Sequence, residues 1–196
     1  MNSEHTLKEL IAIQNSLDAT NLKVLKKEFN SKQQDFALLK EELERRDKYA
    51  KELDGFWSTV FCNSDYFYVL LGKENCKEGE EECIPLDWIE SLSVDYRPDF
   101  KFWVEIKVRP NEYFDNQSLT KEFSLFADSN QDQKWTAINW KPGKRALFDC
   151  PLIRFFTAEE IPDEDDNLNT FQILSDMYVN GVYYFMRRDE PEEIEE

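Results

Sequence analysis

The first 54 residues contain neither glycine nor proline; the first of each are Gly55 and Pro85. The stretch is rich in Leu, Lys, Glu and Gln, which favour helix, and carries only three aromatics, Phe29, Phe36 and Tyr49. Its apolar residues recur as in a coiled coil. Leu25, Phe29, Phe36, Leu39, Leu43, Ala50 and Leu53 follow alternating steps of three and four, with Lys32 and Arg46 as polar interruptions. Leu7, Leu10 and Leu17 hold the same pattern upstream, with Gln14 and Asn21 as polar members. The two runs join through consecutive four-residue steps, Leu17 to Asn21 to Leu25, a stutter that locally unwinds a supercoil. A helix of about 48 residues spans roughly 70 Å. A stripe that long cannot be buried on one compact domain of this size. A second copy in a two-fold dimer is the simplest cover, with Leu10, Leu17, Leu25, Phe29, Phe36, Leu39, Leu43 and Leu53 as the dimerisation residues. The competing arrangement is two or three shorter helices folded back as a bundle, broken at Asn21 or at Asn30-Ser31.

From Gly55 onward the pattern changes. FWSTVFCNSDYFYVLLG (Phe56 to Gly72) reads as two short apolar helices, the second capped by Asn63 or Ser64 and stopped by Gly72. Lys73 to Glu82 is a charged loop. Leu86, Trp88, Leu92 and Val94 then alternate with polar residues, and Phe100, Phe102, Val104, Ile106 and Val108 alternate without fault. Leu119 to Leu125 and Trp135 to Trp140 complete four candidate strands. The joins at Arg97-Pro98, Pro110-Asn111 and Asp128 to Gln133 are short, which predicts an antiparallel meander. Lys121 alternates with the buried set and is expected to be solvated. Helical spacing returns from Phe148 to Ala158 and from Asn169 to Arg188, with Phe171, Leu174, Tyr178, Val182 and Phe185 on one side. The predicted class is α+β, a four-stranded antiparallel sheet covered by helices behind a long N-terminal helix. The expected domains are a helix over 1–54, an α+β body over 55–188 and a short acidic tail over 189–196.

Charge narrows the function. The chain has 24 basic and 41 acidic residues, a net −17. The first 54 residues nearly balance, 11 acidic to 10 basic, whereas residues 159–196 hold 13 carboxylates and two arginines. That sign disfavours nucleic acid as the primary ligand and disfavours an anionic membrane surface, and it favours a basic partner or a divalent cation. No apolar run is long enough for a transmembrane helix, and Met1 to Leu10 lacks the pattern of a signal peptide. The four cysteines, Cys62, Cys76, Cys83 and Cys150, suit a reduced intracellular chain.

Catalytic and cofactor signatures are missing. The one histidine, His5, rules out a conventional His-dependent triad and His-rich metal sites. Cys76 and Cys83 have no second pair at zinc spacing. There is no G-x-G-x-x-G or P-loop, and Asp163 to Asp166 does not match an EF-hand. Neither an enzyme, a metal nor a cofactor is expected.

Four stretches resemble the nucleosome assembly protein / SET family of histone chaperones. They are GFWSTVF (Gly55 to Phe61), NEYFDNQSLTKEFSL (Asn111 to Leu125), AINWKPG (Ala137 to Gly143) and IRFFT (Ile153 to Thr157), the last without the family's second Trp-Phe. The short connections are closer to the SET-like branch. The resemblance implies a homodimer of antiparallel long helices, each bearing an α+β "earmuff" domain that binds core histones. It implies a nuclear protein that shuttles to the cytoplasm. Trp57, Phe61, Tyr113, Phe114, Phe123, Trp140 and Phe155 are expected in the core, with Asn111 and Asn116 shaping the hairpin. Histone binding is expected from Glu159, Glu160, Asp163, Glu164, Asp165 and Asp166, which follow the Phe-Phe segment. Asp176 and the tail carboxylates Glu192, Glu193, Glu195 and Glu196 are weaker candidates. Two other readings stand beside this one: an acidic adaptor or inhibitor of a non-histone basic protein, such as a phosphatase or a transport factor, and a metal-dependent enzyme with an acidic cleft.

Overall fold

The computed structural model describes residues 3–72, 85–126, 133–148, 150–157 and 164–187. Helix α1 runs unbroken over Ser3–Ala50, straight through Asn21 and Asn30-Ser31, so the broken bundle is set aside. With no Gly or Pro to interrupt it, nothing local stops the helix. Two compact units, Met1–Lys40 and Glu41–Glu196, divide the chain inside α1. In the first unit Leu7, Leu10, Leu17 and Leu25 remain exposed, while Phe29 and Phe36 are buried. Leu43 and Ala50 in the second unit are buried as well, and the four buried positions are spaced by sevens, one position of the heptad.

In the second unit α2 (Phe56–Asn63) and α3 (Phe67–Leu71) follow α1. Gly55 precedes α2 at φ 70°, a left-handed turn where a Cβ would meet Ser58 Oγ at 3.3 Å. Tyr66, not Asn63 or Ser64, stands at the N-cap of α3, without a side-chain capping bond, and the helix stops at Gly72 as expected. Strands β1 (Ile89–Arg97), β2 (Lys101–Val108), β3 (Ser118–Ser124) and β4 (Lys134–Trp135) form one antiparallel meander in chain order. Two strand boundaries differ from expectation. Leu86 and Trp88 are buried but precede β1. The Trp135 to Trp140 stretch supplies only the two residues of β4 plus an isolated bridge from Trp140 to Phe114. Asn116 adds to the pairing there, accepting from the Asn139 N–H at 2.8 Å and donating to the Ala137 carbonyl at 2.9 Å, beside backbone bonds from the Asp115 N–H to the Asn139 carbonyl at 3.0 Å and from the Lys141 N–H to the Tyr113 carbonyl at 2.9 Å.

The face with the even-numbered β1 and β2 residues carries the core. Leu92, Val94, Phe102, Val104, Ile106, Leu119 and Phe123 are all buried there. Helices α4 (Pro151–Phe156) and α5 (Glu164–Val179) pack on this side, α4 on β3 and α5 on β1 and β2. Phe171 of α5 reaches Phe102, with ring centroids 4.6 Å apart, and Phe155 of α4 reaches Phe123 at 6.1 Å. The last helical stretch is two helices, not one. Helix α5 ends at Val179, and α6 (Gly181–Met186) restarts after Asn180. Val182, expected on the buried side with Phe171, Leu174 and Tyr178, is instead 45% exposed.

The end of α1 is tied into this unit by a residue that interrupts its apolar stripe. The Arg46 guanidinium lies 5.1 Å from the Trp57 ring centroid and 4.7 Å from that of Tyr178, and those two rings stack at 5.9 Å. Arg46 also donates to the Tyr178 carbonyl and pairs with Asp47 at 2.8 Å. Asp47 in turn accepts the Tyr178 hydroxyl at 2.9 Å. Burial, and then the Asp47 carboxylate, hold the Tyr178 phenol well above its usual range. Gly181 is what lets α6 approach: a Cβ there would fall 3.2 Å from an Arg46 nitrogen and 3.4 Å from the Trp57 ring.

Candidate functional site

The family-like stretches form scaffold. Trp57, Phe61, Phe114, Phe123 and Phe155 are buried as expected, whereas Tyr113 and Trp140 are half-buried. Asn111 Oδ1 accepts from the Tyr113 and Phe114 N–H groups at 2.8 and 3.0 Å, an Asx turn that sets the entry to the hairpin. Trp140 meets Phe114 edge-to-face at 5.6 Å, and Phe114 meets Trp88 at 5.3 Å.

The opposite face of the sheet carries its own charges, and they are largely spent on one another. Glu122 lies 2.7 Å from Arg97, 3.8 Å from Lys101 and 3.9 Å from Lys134. Arg97 also covers the Trp103 ring at 4.4 Å. At the hairpin, Lys144 pairs with Glu112 at 2.6 Å and holds that carboxyl below its ordinary value.

Of the carboxylates proposed from sequence, Glu159, Glu160, Asp163, Glu192, Glu193, Glu195 and Glu196 lie outside the described residues. Glu164, Asp165 and Asp166 open α5, and the Asp166 side chain is exposed. A carboxylate in the first turn complements the dipole of a 16-residue helix, so Asp166 stabilises α5. Asp176 is placed differently. It is half-buried and accepts from the Tyr184 hydroxyl at 2.7 Å and from Asn180 at 2.8 Å, which joins α5 to α6. Burial and the Asp176 carboxylate together push the Tyr184 phenol well up.

What holds the acidic opening of α5 on the sheet is the residue whose burial the sequence concealed. Lys121 on β3 is 2% exposed, not solvated. Its Nζ donates to Asn167 Oδ1 at 2.6 Å and lies 4.7 Å from the Phe155 ring centroid. Asn167, also buried, directly follows Asp166. Sheet, α4 and the first turn of α5 therefore meet at one ammonium group. Burial lowers its pKa from 10.5 to about 8. The signal available in the sequence was its inward register between Leu119 and Phe123; charge alone argued for solvent. Among the described residues, no group of three or more His, Cys, Asp or Glu side chains is arranged to hold a metal ion.

A long helix leading into a four-stranded antiparallel meander with helices packed on one face defines the helix-and-earmuff class of fold. The chain belongs to the nucleosome assembly protein family: the family model Nucleosome assembly protein (NAP) matches residues 4–150. It is similar to Protein SET of Drosophila melanogaster, 32% identical over 153 residues, which are 72% of this chain and 53% of that one. It is also similar to NAP1-related protein 1 of Oryza sativa subsp. indica, 26% identical over 210 residues, covering 95% of this chain and 77% of that one. Among solved structures it resembles the nucleosome assembly protein of Plasmodium falciparum, with TM-score 0.56 and 21% identity over 93% of this chain and 96% of that one, a likeness of fold.

Proposed function

We propose that this protein is a histone chaperone that binds core histones through acidic surface, shields their charge and assists nucleosome assembly and disassembly. The observation that carries this reading is the joining of the family's scaffold to a strongly uneven charge: 13 carboxylates against two arginines in residues 159–196. Histones are rich in Lys and Arg, so carboxylates near the opening of α5 and in the tail attract them over a Debye length of about 8 Å at physiological salt. Such charge raises on-rate and specificity more than it adds affinity. The site comprises Glu159, Glu160 and Asp163 to Asp166, with the tail carboxylates in support. Asp176, committed to Tyr184 and Asn180, acts mainly by joining α5 to α6.

In this reading the protein works without catalysis, as a homodimer, in the nucleus with passage through the cytoplasm. The exposed apolar residues of α1 support the dimer. Leu7, Leu10, Ile11, Ile13, Leu17, Leu22, Val24, Leu25, Leu38 and Leu39 are each between 42% and 82% exposed. At half exposure apiece, ten such side chains approach the roughly 800 Å² per partner of a standard interface. The test is binding of the purified protein to the two core-histone pairs at physiological and at high salt, with its mass in solution. Stoichiometric, salt-sensitive binding by a dimer is expected. A folded dimer that ignores both pairs refutes the reading and points to a non-histone basic partner.

A further inference from the structure

Lys121 and Asn167 are each 2% exposed, and the bond between them joins β3 to the first turn of α5 at 2.6 Å. The same ammonium lies 4.7 Å from the Phe155 ring centroid on α4 and 6.0 Å from that of Phe123 on its own strand. Of residues 166–170 on α5, Asn167 alone is buried. The next buried residue is Phe171, whose ring lies 4.6 Å from that of Phe102, and it stands about 6 Å further along the helix. The opening of α5 is therefore held by one directional polar contact, whereas Phe171, Leu174 and Met177 hold the following turns by apolar burial. Apolar contact tolerates rotation and sliding of a helix end. A hydrogen bond, limited in length and angle, does not. Neighbouring residues on a helix point about 100° apart, so fixing Asn167 inward fixes the exposed side chain of Asp166 outward.

We propose that Lys121 and Asn167 are positioning residues of the partner-binding surface: their bond sets the rotation and register of the first turn of α5, so that Asp166 meets a basic partner in one arrangement. The assignment rests on the histone-chaperone reading and names what holds a carboxylate of its site in place. Neither residue touches the partner, since both are buried. Stability does not explain the pair. Burial opposes the charge on the ammonium, which is why it lowers the Lys121 pKa. A buried polar pair is often replaced by apolar residues without loss. What an apolar pair does not supply is a single fixed geometry. Asp166 gains from that geometry because a carboxylate already oriented loses less freedom on binding.

The experiment uses the full chain and separates position from stability. Wild type, Asn167→Leu, Asn167→Asp and the pair Lys121→Met/Asn167→Leu are titrated with the core-histone pairs at about 0.15 and 0.5 M salt, each with and without Asp166→Asn. Lys121→Met/Asn167→Leu lacks the bond but leaves no orphaned polar group, so it stays folded. It is expected to bind about threefold more weakly than wild type at the lower salt, the scale of a surface charge contact, with a smaller deficit at the higher salt. In the Asp166→Asn background the same pair is expected to cost little, because the carboxylate it positions is gone. Asn167→Asp keeps an acceptor for the Lys121 ammonium and is expected to retain the binding that Asn167→Leu loses. A merely structural role lowers the folded fraction and gives equal losses at both salts and in both backgrounds. That result overturns the proposal, as does wild-type affinity in the doubly substituted chain. Hydrogen exchange is the second measurement. The Leu168, Asn169 and Thr170 amides, whose helical acceptors lie in the first turn, are expected to exchange faster in Asn167→Leu than in wild type. Unchanged exchange there also overturns the proposal. Each of these failures leaves the chaperone reading intact. If wild type binds neither histone pair, that reading itself falls, and this assignment with it.

Discussion

Holding a charged Lys121 between sheet and helices has a cost that can be measured. Its pKa falls from 10.5 to about 8 on folding. A shift of that size corresponds to about 3 kcal/mol of penalty on the charged form at neutral pH. The sign follows from proton counting. Between the folded and unfolded pKa values the unfolded chain binds more protons, so stability rises with pH across that window and is flat below it. From pH 7.5 to 9.5 the rise is about 2 kcal/mol. Tyr178 and Tyr184, with raised pKa values, act in the opposite direction only above about pH 10, so the window is free of them. The perturbation is Lys121→Met, which keeps length and apolar stem while removing the charge. Met leaves Asn167 Oδ1 without its donor at about 1–3 kcal/mol, so at pH 7 the single variant stays within about 2 kcal/mol of wild type. Lys121→Met with Asn167→Leu removes both polar partners and is expected to be more stable than either single variant, as buried polar pairs replaced together often are. Urea unfolding at fixed protein concentration, at several pH values from 7 to 9.5, is the assay. A wild-type stability that does not climb relative to Lys121→Met over that range refutes the reasoning.

Three further outcomes are expected. Leu10→Glu with Leu17→Glu changes residues exposed on α1 and should give folded monomers by light scattering; Leu39→Glu with Leu43→Glu should also abolish the dimer but destabilise the body, because Leu43 is buried. Arg46→Ala removes a guanidinium that touches Trp57, Tyr178 and Asp47 and should cost about 2–4 kcal/mol in denaturant unfolding, with Arg46→Lys failing to restore it because a planar, stacked donor is needed. Charge reversal at Asp163, Glu164, Asp165 and Asp166 should weaken histone binding while leaving the mass in solution unchanged; unchanged affinity moves the site elsewhere.

The reasons for success and failure of the sequence reading lie in particular residues. The unbroken α1 was legible because helix continuity depends on local terms, and no residue from 3 to 50 breaks it. The meander was legible because Phe102 to Val108 alternate with period two and the connections are short. The family followed from the ordered Asn111, Trp140 and Phe155 stretches: Asn111 forms a turn, Phe114, Phe123 and Phe155 are core, and Tyr113 and Trp140 are half-buried. Less was visible at the site. Asp176 looked like one acid among many, yet its oxygens belong to Tyr184 and Asn180. Val182 shares the helical spacing of Phe171, Leu174 and Tyr178 in sequence, yet it is 45% exposed, and Gly181 and Tyr184 are the buried residues of α6.

By itself, then, the sequence determined the repeating backbone states, the order of the elements and the uneven distribution of charge, since each depends on residues within a few positions of one another. Only the tertiary structure decided that Lys121 is buried on Asn167 and Phe155, that Arg46 fastens α1 to Trp57 and Tyr178, and that α6 turns Tyr183 and Met186 to solvent. Lys121 meets Phe155, Lys121 meets Asn167 and Arg46 meets Tyr178 across 34, 46 and 132 positions of the chain. Periodicity says which face of an element a side chain shares; whether that face meets water, an aromatic ring or a carboxylate depends on what the rest of the chain places over it.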